Sequence, residues 1–353
     1  MSVRLREASA GQARRRAAPA GQVRRRILTI VSLFAAGAAA VVLWAPTVGS
    51  TSISLARVFD TGIPWEDNVD AQIFFVARLP RVLSGAIVGA ALAAAGVVLQ
   101  AMLRNPLATP FTLGVSAGGA LGAMLAIAFA FDLGMMGVSS IAIASFAGSL
   151  AAIAIVYWLA SSQKRGLSTN VLLLAGVTLN SFFSALILFV QYMADFTESF
   201  RTVRWLMGDL DVGNYSPILA ALPFLVTAFA VFAILPRTLN LLTLGEDVAA
   251  GRGVEVVRAQ RLAFLSASLA TGAAVSLGGP IGFIGIVVPH LVRLMVGSDH
   301  RVVLPAAALF GAAFTVLCDL TARTIMAPLE LPVGIVTALI GGPFFLWLLV
   351  KKS

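Results

Sequence analysis

Apolar residues in this chain gather into long runs separated by short segments rich in arginine, glycine and proline. A helix needs about 20 apolar residues to cross the hydrocarbon of a bilayer. Runs close to that length lie near 27–48, 82–103, 111–131, 138–160 and 171–193. Further runs follow near 217–235, 260–278, 282–297, 302–321 and 335–350. The pattern predicts an all-α, polytopic membrane protein with about ten transmembrane helices. Composition agrees, since 59% of the 353 residues are hydrophobic and only 12% are charged, with a mean hydropathy of +0.94, far from a soluble domain.

The organisation expected is a basic tail over 1–26 and a single transmembrane domain over 27–353, with one long interior loop at about 236–259. Internal repeats and a second soluble domain are not apparent. The basic tail followed by an apolar run could pass for a signal peptide. Its length of about 20 apolar residues exceeds a signal core and favours an uncleaved first span.

A net charge of +9 and a pI near 10.9 would suit nucleic acid, but the basic residues sit in loops between apolar runs, where they report topology instead. Ten spans put both termini on one side. The arginine-rich tail with Lys351 and Lys352 makes that side the cytoplasm. Under this assignment every Lys and Arg except Arg57, Arg78, Arg81, Arg201, Arg204 and Arg323 is cytoplasmic.

Within the runs glycine and alanine dominate, as in GAIVGAALAAAG (85–96) and GVSAGGALGAMLA (114–126); small residues let helix backbones approach closely in lipid. Ionisable groups are scarce away from the span ends, with Asp319 and Arg293 the nearest exceptions. Ion-coupled transporters keep such groups near the midplane. A membrane-embedded enzyme would need convergent His, Asp or Ser groups, and none are evident. One cysteine, Cys318, and two histidines, His290 and His300, offer little for a disulfide framework, a metal site or a cofactor. His290, beside Pro289, reads as a structural residue. The sequence has no GxxxxGK[ST] phosphate loop. Uphill transport would therefore draw its energy from a partner.

A surface for such a partner lies in PRTLNLLTLGEDVAAGRGVEVVRAQR (236–261). Glu246 and Asp247 can open a short helix and Gly251 or Gly253 can close it, although the segment reads equally as an ordinary loop.

Six stretches together resemble one family. They are ARLPRVLSGAIVGAALAAAGVVLQAMLRNPLATPFTLGVSAGGALGA, LLLAGVTLNSFF, WLMGDL, LGEDVAAGRGV, GGPIGFIGIVVPHLVRLMVGSDHRVVLPAAALFGA and LELPVGIVTALIGGPFFLWLL. In content and order they look like the signatures of iron-siderophore, heme and vitamin B12 permeases of ATP-binding-cassette importers. The resemblance implies a vitamin B12 importer-like permease in the bacterial cytoplasmic membrane, with no catalytic activity of its own. It pairs with an identical or paralogous permease, two cytoplasmic ATPase subunits and an external solute-binding protein. The cargo implied is a metal chelate, first a ferric siderophore, with heme, cobalamin and molybdate as alternatives.

Carried over onto matching positions, the resemblance implies that Arg78, Arg81 and Arg323 face outward and meet acidic residues of the binding protein. Position alone would suggest interfacial snorkelling, with Pro80 starting a helix. The resemblance also implies a cytoplasmic gate at Asn105, Leu107, Ser168 and Thr169, where Pro106 and Pro110 could equally make a rigid turn. Glu246, Asp247 and Arg252 become the ATPase-coupling helix.

Overall fold

The structure is a computed structural model that describes residues 20–131, 134–135, 137–161 and 167–352. The tail before residue 20, with its arginines, and Lys164 and Arg165 lie outside the described residues. The helices, in order, are α1 (Ala20–Trp44), α2 (Leu79–Met102), α3 (Val115–Ala128), α4 (Ser140–Ser161), α5 (Thr169–Met193), α6 (Phe196–Leu206) and α7 (Ser216–Ile234). There follow α8 (Pro236–Leu242), α9 (Glu246–Gly251), α10 (Val256–Gly278), α11 (Ile284–Val296), α12 (His300–Thr324) and α13 (Val333–Lys352).

Every apolar run expected from the sequence holds one of these helices. Among the described residues, seven helical stretches are long and apolar enough to cross a membrane, and α3, α11 and the Val333–Trp347 part of α13 are shorter. The expected start of the third run at 111 is too early. Pro110 and Gly114 bracket a 3-10 turn over Phe111–Leu113, and Gly114 takes a left-handed φ of 77°, so α3 begins only at Val115. The second run, by contrast, starts earlier than expected. Val69–Met102 is one continuous helical stretch of 34 residues, with a π-helical turn over Ile73–Arg78. Pro80 follows that turn directly. It has no N–H for the carbonyl one turn back, and widened turns form where the helical ladder is interrupted. Pro80 therefore lies inside a helix and does not start one.

This long helix is the centre of the bundle. Packed around it are α10, α11 and α12. A Cβ on Gly89 would overlap the carbonyl oxygen of Gly311 in α12, and one on Gly96 would overlap that of Gly285 in α11. Backbone meets backbone at both crossings, which is how helices gain contact where lipid removes the hydrophobic drive between them. The same device joins α3 to α4 through Gly118 and Gly148.

Outside this core the helices are thinly covered. The long apolar helix α1 touches α12 through an edge-on contact of Phe34 with Phe310 at 6.1 Å. Helices α5 and α6 turn large side chains outward, including Leu188, Phe189, Tyr192, Phe196 and Phe200. The sequence reading missed α6, although Asp195 accepts a hydrogen bond from the Glu198 amide at 2.8 Å, an N-cap written plainly in the chain.

The close crossing yields a first prediction. Gly89→Val should lower the thermal midpoint of the purified protein by the equivalent of about 1–3 kcal/mol or more, because backbone cannot move aside as a side chain does. Gly37→Val, at a position where a Cβ meets nothing within 4 Å, should stay within about 0.5 kcal/mol. Equal midpoints would remove the glycine crossing as an organising contact.

Candidate functional site

Two polar clusters lie at opposite ends of α2. At the first, Arg78 and Arg81 sit one turn apart, and Asp319 and Arg323 sit at i and i+4 in the last turns of α12. The guanidinium of Arg81 grips Asp319 through Nε at 3.0 and 3.2 Å and through Nη2 at 3.0 Å. Its Nη1 reaches Glu330 at 2.6 Å. Arg323 approaches Asp319 at 3.5 Å and donates to the carbonyl oxygen of Ala45 at 3.0 Å. Arg78 donates to the carbonyl oxygens of Pro46 and Thr51. Its guanidinium fills the space a side chain at Gly49 would need.

Of the three arginines named from the sequence, Arg78 and Arg323 thus reach the turn that leaves α1, and Arg81 joins them through Asp319. They differ in depth. Arg78 and Arg323 are only 6% and 4% exposed, and their heads point into the protein, so neither snorkels. Arg81 is the one with an edge at the surface, its side chain 11% exposed. Asp319 is 2% exposed, and a carboxylate at that depth survives only because two arginines pair with it. The three arginines outnumber their two carboxylates, so the cluster keeps a positive charge. Asp319 and Glu330 were missed as members: an i,i+4 Asp–Arg pair was readable, but the contact across to Arg81 was not.

At the other end, α2 gives way to the loop that contains Asn105 and Leu107. Arg104 takes a left-handed φ of 51°, and the Asn105 side chain accepts from the Leu107 amide at 2.9 Å, which turns Leu107 outward, 46% exposed. Ser168 caps α5 by accepting from the Val171 amide at 3.5 Å, and Thr169 is its first residue. Gly176, two turns along α5, packs on Thr112 and Leu113, so the loop and the start of α5 belong to the same end of the bundle.

The GEDVAAGRG segment is a helix. Gly245 at φ 118° opens it, Glu246 and Asp247 form its first turn, Arg252 ends it and Gly253 at φ 83° follows. Its three named residues have different surroundings. Asp247 and Arg252 are exposed beside the exposed apolar Leu244 and Val248. Glu246 instead pairs with Arg104 at 3.0 Å and accepts from Gln260 at 3.3 Å, tying α9 to the loop after α2.

The approach to α9 is fixed as well. Asn240 in α8 donates to Asp299 at 2.8 Å and accepts from the His300 amide at 2.9 Å. The hydrogen bond from Arg301 holds the Asp299 carboxyl down at about 2, against the opposing effect of burial. Arg293 donates to Gln100 at 2.6 Å, whose amide donates to the Gly285 carbonyl at 2.9 Å. The ring of His290 lies edge-on to Phe344 at 6.1 Å.

Comparison with known proteins shows what the chain as a whole is similar to. The model of the FecCD transport family matches residues 29–351. The chain is 37% identical over 327 residues to the hemin transport system permease protein HmuU of Yersinia pestis, covering 92% of this chain and 94% of that one. It is 44% identical over 306 residues to the cobalamin import system permease protein BtuC of Halobacterium salinarum, covering 86% and 79%. A solved ABC transporter assigned to the metal-chelate type, in an inward-facing conformation, matches with a TM-score of 0.79 and 34% identity over 92% of this chain and 99% of that one.

The buried cluster yields a second prediction. Asp319→Asn strips the shared counter-charge from Arg81 and Arg323 and should destabilise the protein by about 3–5 kcal/mol, the cost of breaking a buried ion pair from one side. Thermal unfolding of the purified variant checks this. A midpoint equal to wild type would mean that Asp319 does not carry the charge balance of the cluster.

Proposed function

From the premise that this chain belongs to the FecCD transport family, we propose that it is the permease subunit of an ATP-driven importer, a multi-pass protein of the bacterial cytoplasmic membrane that takes up a metal chelate. A ferric siderophore is the first candidate cargo, with heme, cobalamin or molybdate as alternatives. The observation that carries the reading is the family match over nearly the whole chain, joined to an exposed short helix at one end of the bundle.

In this reading both termini and α9 lie on the cytoplasmic side and the arginine cluster lies outside. Two ATPase subunits dock on α9, one on each of two permeases, through Asp247 and Arg252 with the exposed Leu244 and Val248. Glu246 and Arg104 pass the displacement on. An ion pair so exposed adds at most about 1 kcal/mol of stability, so its value is positional, keeping α9 in step with the loop. The outward apolar side chains of α5 and α6 face the second permease and the path between the two. Asn105, Leu107, Ser168 and Thr169 from both copies form the cytoplasmic gate. The solute-binding protein sits over Arg78, Arg81 and Arg323. Arg81 makes the direct contact, and the deeper two hold it in place and add their charge.

Reconstitution tests the function. With ATPase subunits and binding protein in proteoliposomes, the chain should move chelate only with ATP; uptake by the chain alone in an ion gradient would identify a secondary transporter instead. Replacing Glu246, Asp247 and Arg252 together with alanine should weaken ATPase binding by about tenfold or more, the scale of losing an interface hot spot, and uncouple hydrolysis from uptake. Normal binding and uptake would refute the coupling role. For the gate, Leu107→Cys or Thr169→Cys in a Cys318→Ser background should crosslink across the dimer in some nucleotide states and not in others. An intact dimer without crosslinks in any state would exclude it.

A further inference from the structure

Arg81 holds two carboxylates of different character. Asp319 is buried and gripped by two nitrogens of the guanidinium, whereas Glu330 touches one nitrogen at 2.6 Å and its side chain is 41% exposed. Breaking the first contact strands buried charges; breaking the second lets Glu330 return to water at little cost. The backbone beside Glu330 is anchored, because the Leu331 amide donates to the Ala322 carbonyl at 3.0 Å. Release therefore falls to the side chain alone.

A small recess opens over this contact. Arg81, Asp319, Arg204, Asp209, Glu330 and Pro332 are among its lining residues, and its volume is about 20 Å³. That is room for roughly one water, too little for a second carboxyl group while Glu330 stays in place. Among the described residues Arg204 pairs only at long range, with Asp209 at 3.8 Å, and its side chain is 63% exposed. Its planar fork of donors is suited to a carboxylate. The exposed Ile325, Met326 and Leu329 belong to the same loop as Glu330, an apolar border of the kind that keeps water from a charged contact.

We propose that Glu330 holds the place of a carboxylate supplied by the solute-binding protein, and that Arg204 is a further docking residue on the rim of the recess. The inference rests on the docking reading of Arg81 given above. On docking, the partner's carboxylate enters between Arg81 and Arg204 as Glu330 swings out; on release Glu330 returns. Arg81 never lacks a second carboxylate, so the buried cluster keeps its balance in both states. The binding protein is held less tightly than bare arginines would hold it, which suits a partner that must leave after each delivery.

The test measures the affinity of the cognate solute-binding protein for the full permease–ATPase complex in nanodiscs, at low and high salt. Glu330→Gln keeps the side chain's size, removes the competing charge and should tighten binding about fivefold, the scale of an ion pair with one exposed partner, with a steeper salt dependence. Arg204→Gln should weaken binding by a similar factor. Glu330→Ser serves as a second variant, and the thermal midpoint of each complex verifies assembly. Unchanged or weaker binding in both Glu330 variants would overturn the placeholder role, and unchanged binding in Arg204→Gln would overturn the rim contact. Arg81→Gln separates the two levels. If it weakens binding while the Glu330 variants do not tighten it, only the placeholder fails; if it too changes nothing, the docking reading fails with it.

Discussion

In a bilayer, helices cannot be driven together by hiding apolar surface from water, so the bundle depends on how closely their backbones approach. Here that approach is set along one helix. Gly89 meets Gly311, and Gly96 meets Gly285, at distances that leave no room for a side chain. The first of these contacts also sets the functional register. Arg81 lies eight residues before Gly89, and Asp319 eight residues after Gly311 in a helix running the other way. Each polar partner therefore stands about 12 Å from the glycine crossing, at the same height, where the guanidinium closes on the carboxylate at 3.0 Å. A wider crossing would part the ion pair as well as loosen the packing.

The same helix spans both clusters. Val69–Met102 runs unbroken for 34 residues, about 50 Å. The arginine cluster sits about a third of the way along it, at the start of α2, and Arg104, paired with Glu246, follows its end. A rod that carries the arginine cluster and runs on to the loop linked to α9 is well placed to keep the two in step. The polar ties at the far end, Asn240 to Asp299 and Arg293 to Gln100 to Gly285, fasten the neighbouring helices to each other and to this rod.

Much of this was readable from the chain, for physical reasons. Length and hydropathy located the spans because the bilayer imposes both. The acid-then-glycine order of GEDVAAGRG located α9 because helix ends need those residues. Depth was less readable. Arg78, Arg81 and Arg323 were grouped as outward contacts, yet two of the three bury their heads on carbonyls of residues 45–51, a contact between elements that no local pattern reveals. The amphipathic α6 was passed over because it is too short and too polar to resemble a span. Glu330 stood inside a quoted motif, but its meaning appears only when α12 and α13 bring it to Arg81.

The account rests on the two clusters facing opposite sides of the membrane. The most direct measurement is labelling by a membrane-impermeant thiol reagent in intact cells and in inverted vesicles, using Arg252→Cys and Leu329→Cys in a Cys318→Ser background. Both positions are exposed, on the α9 end and the arginine end respectively. The account predicts that Leu329→Cys is labelled only in intact cells and Arg252→Cys only in inverted vesicles. Labelling of both from the same side would contradict it.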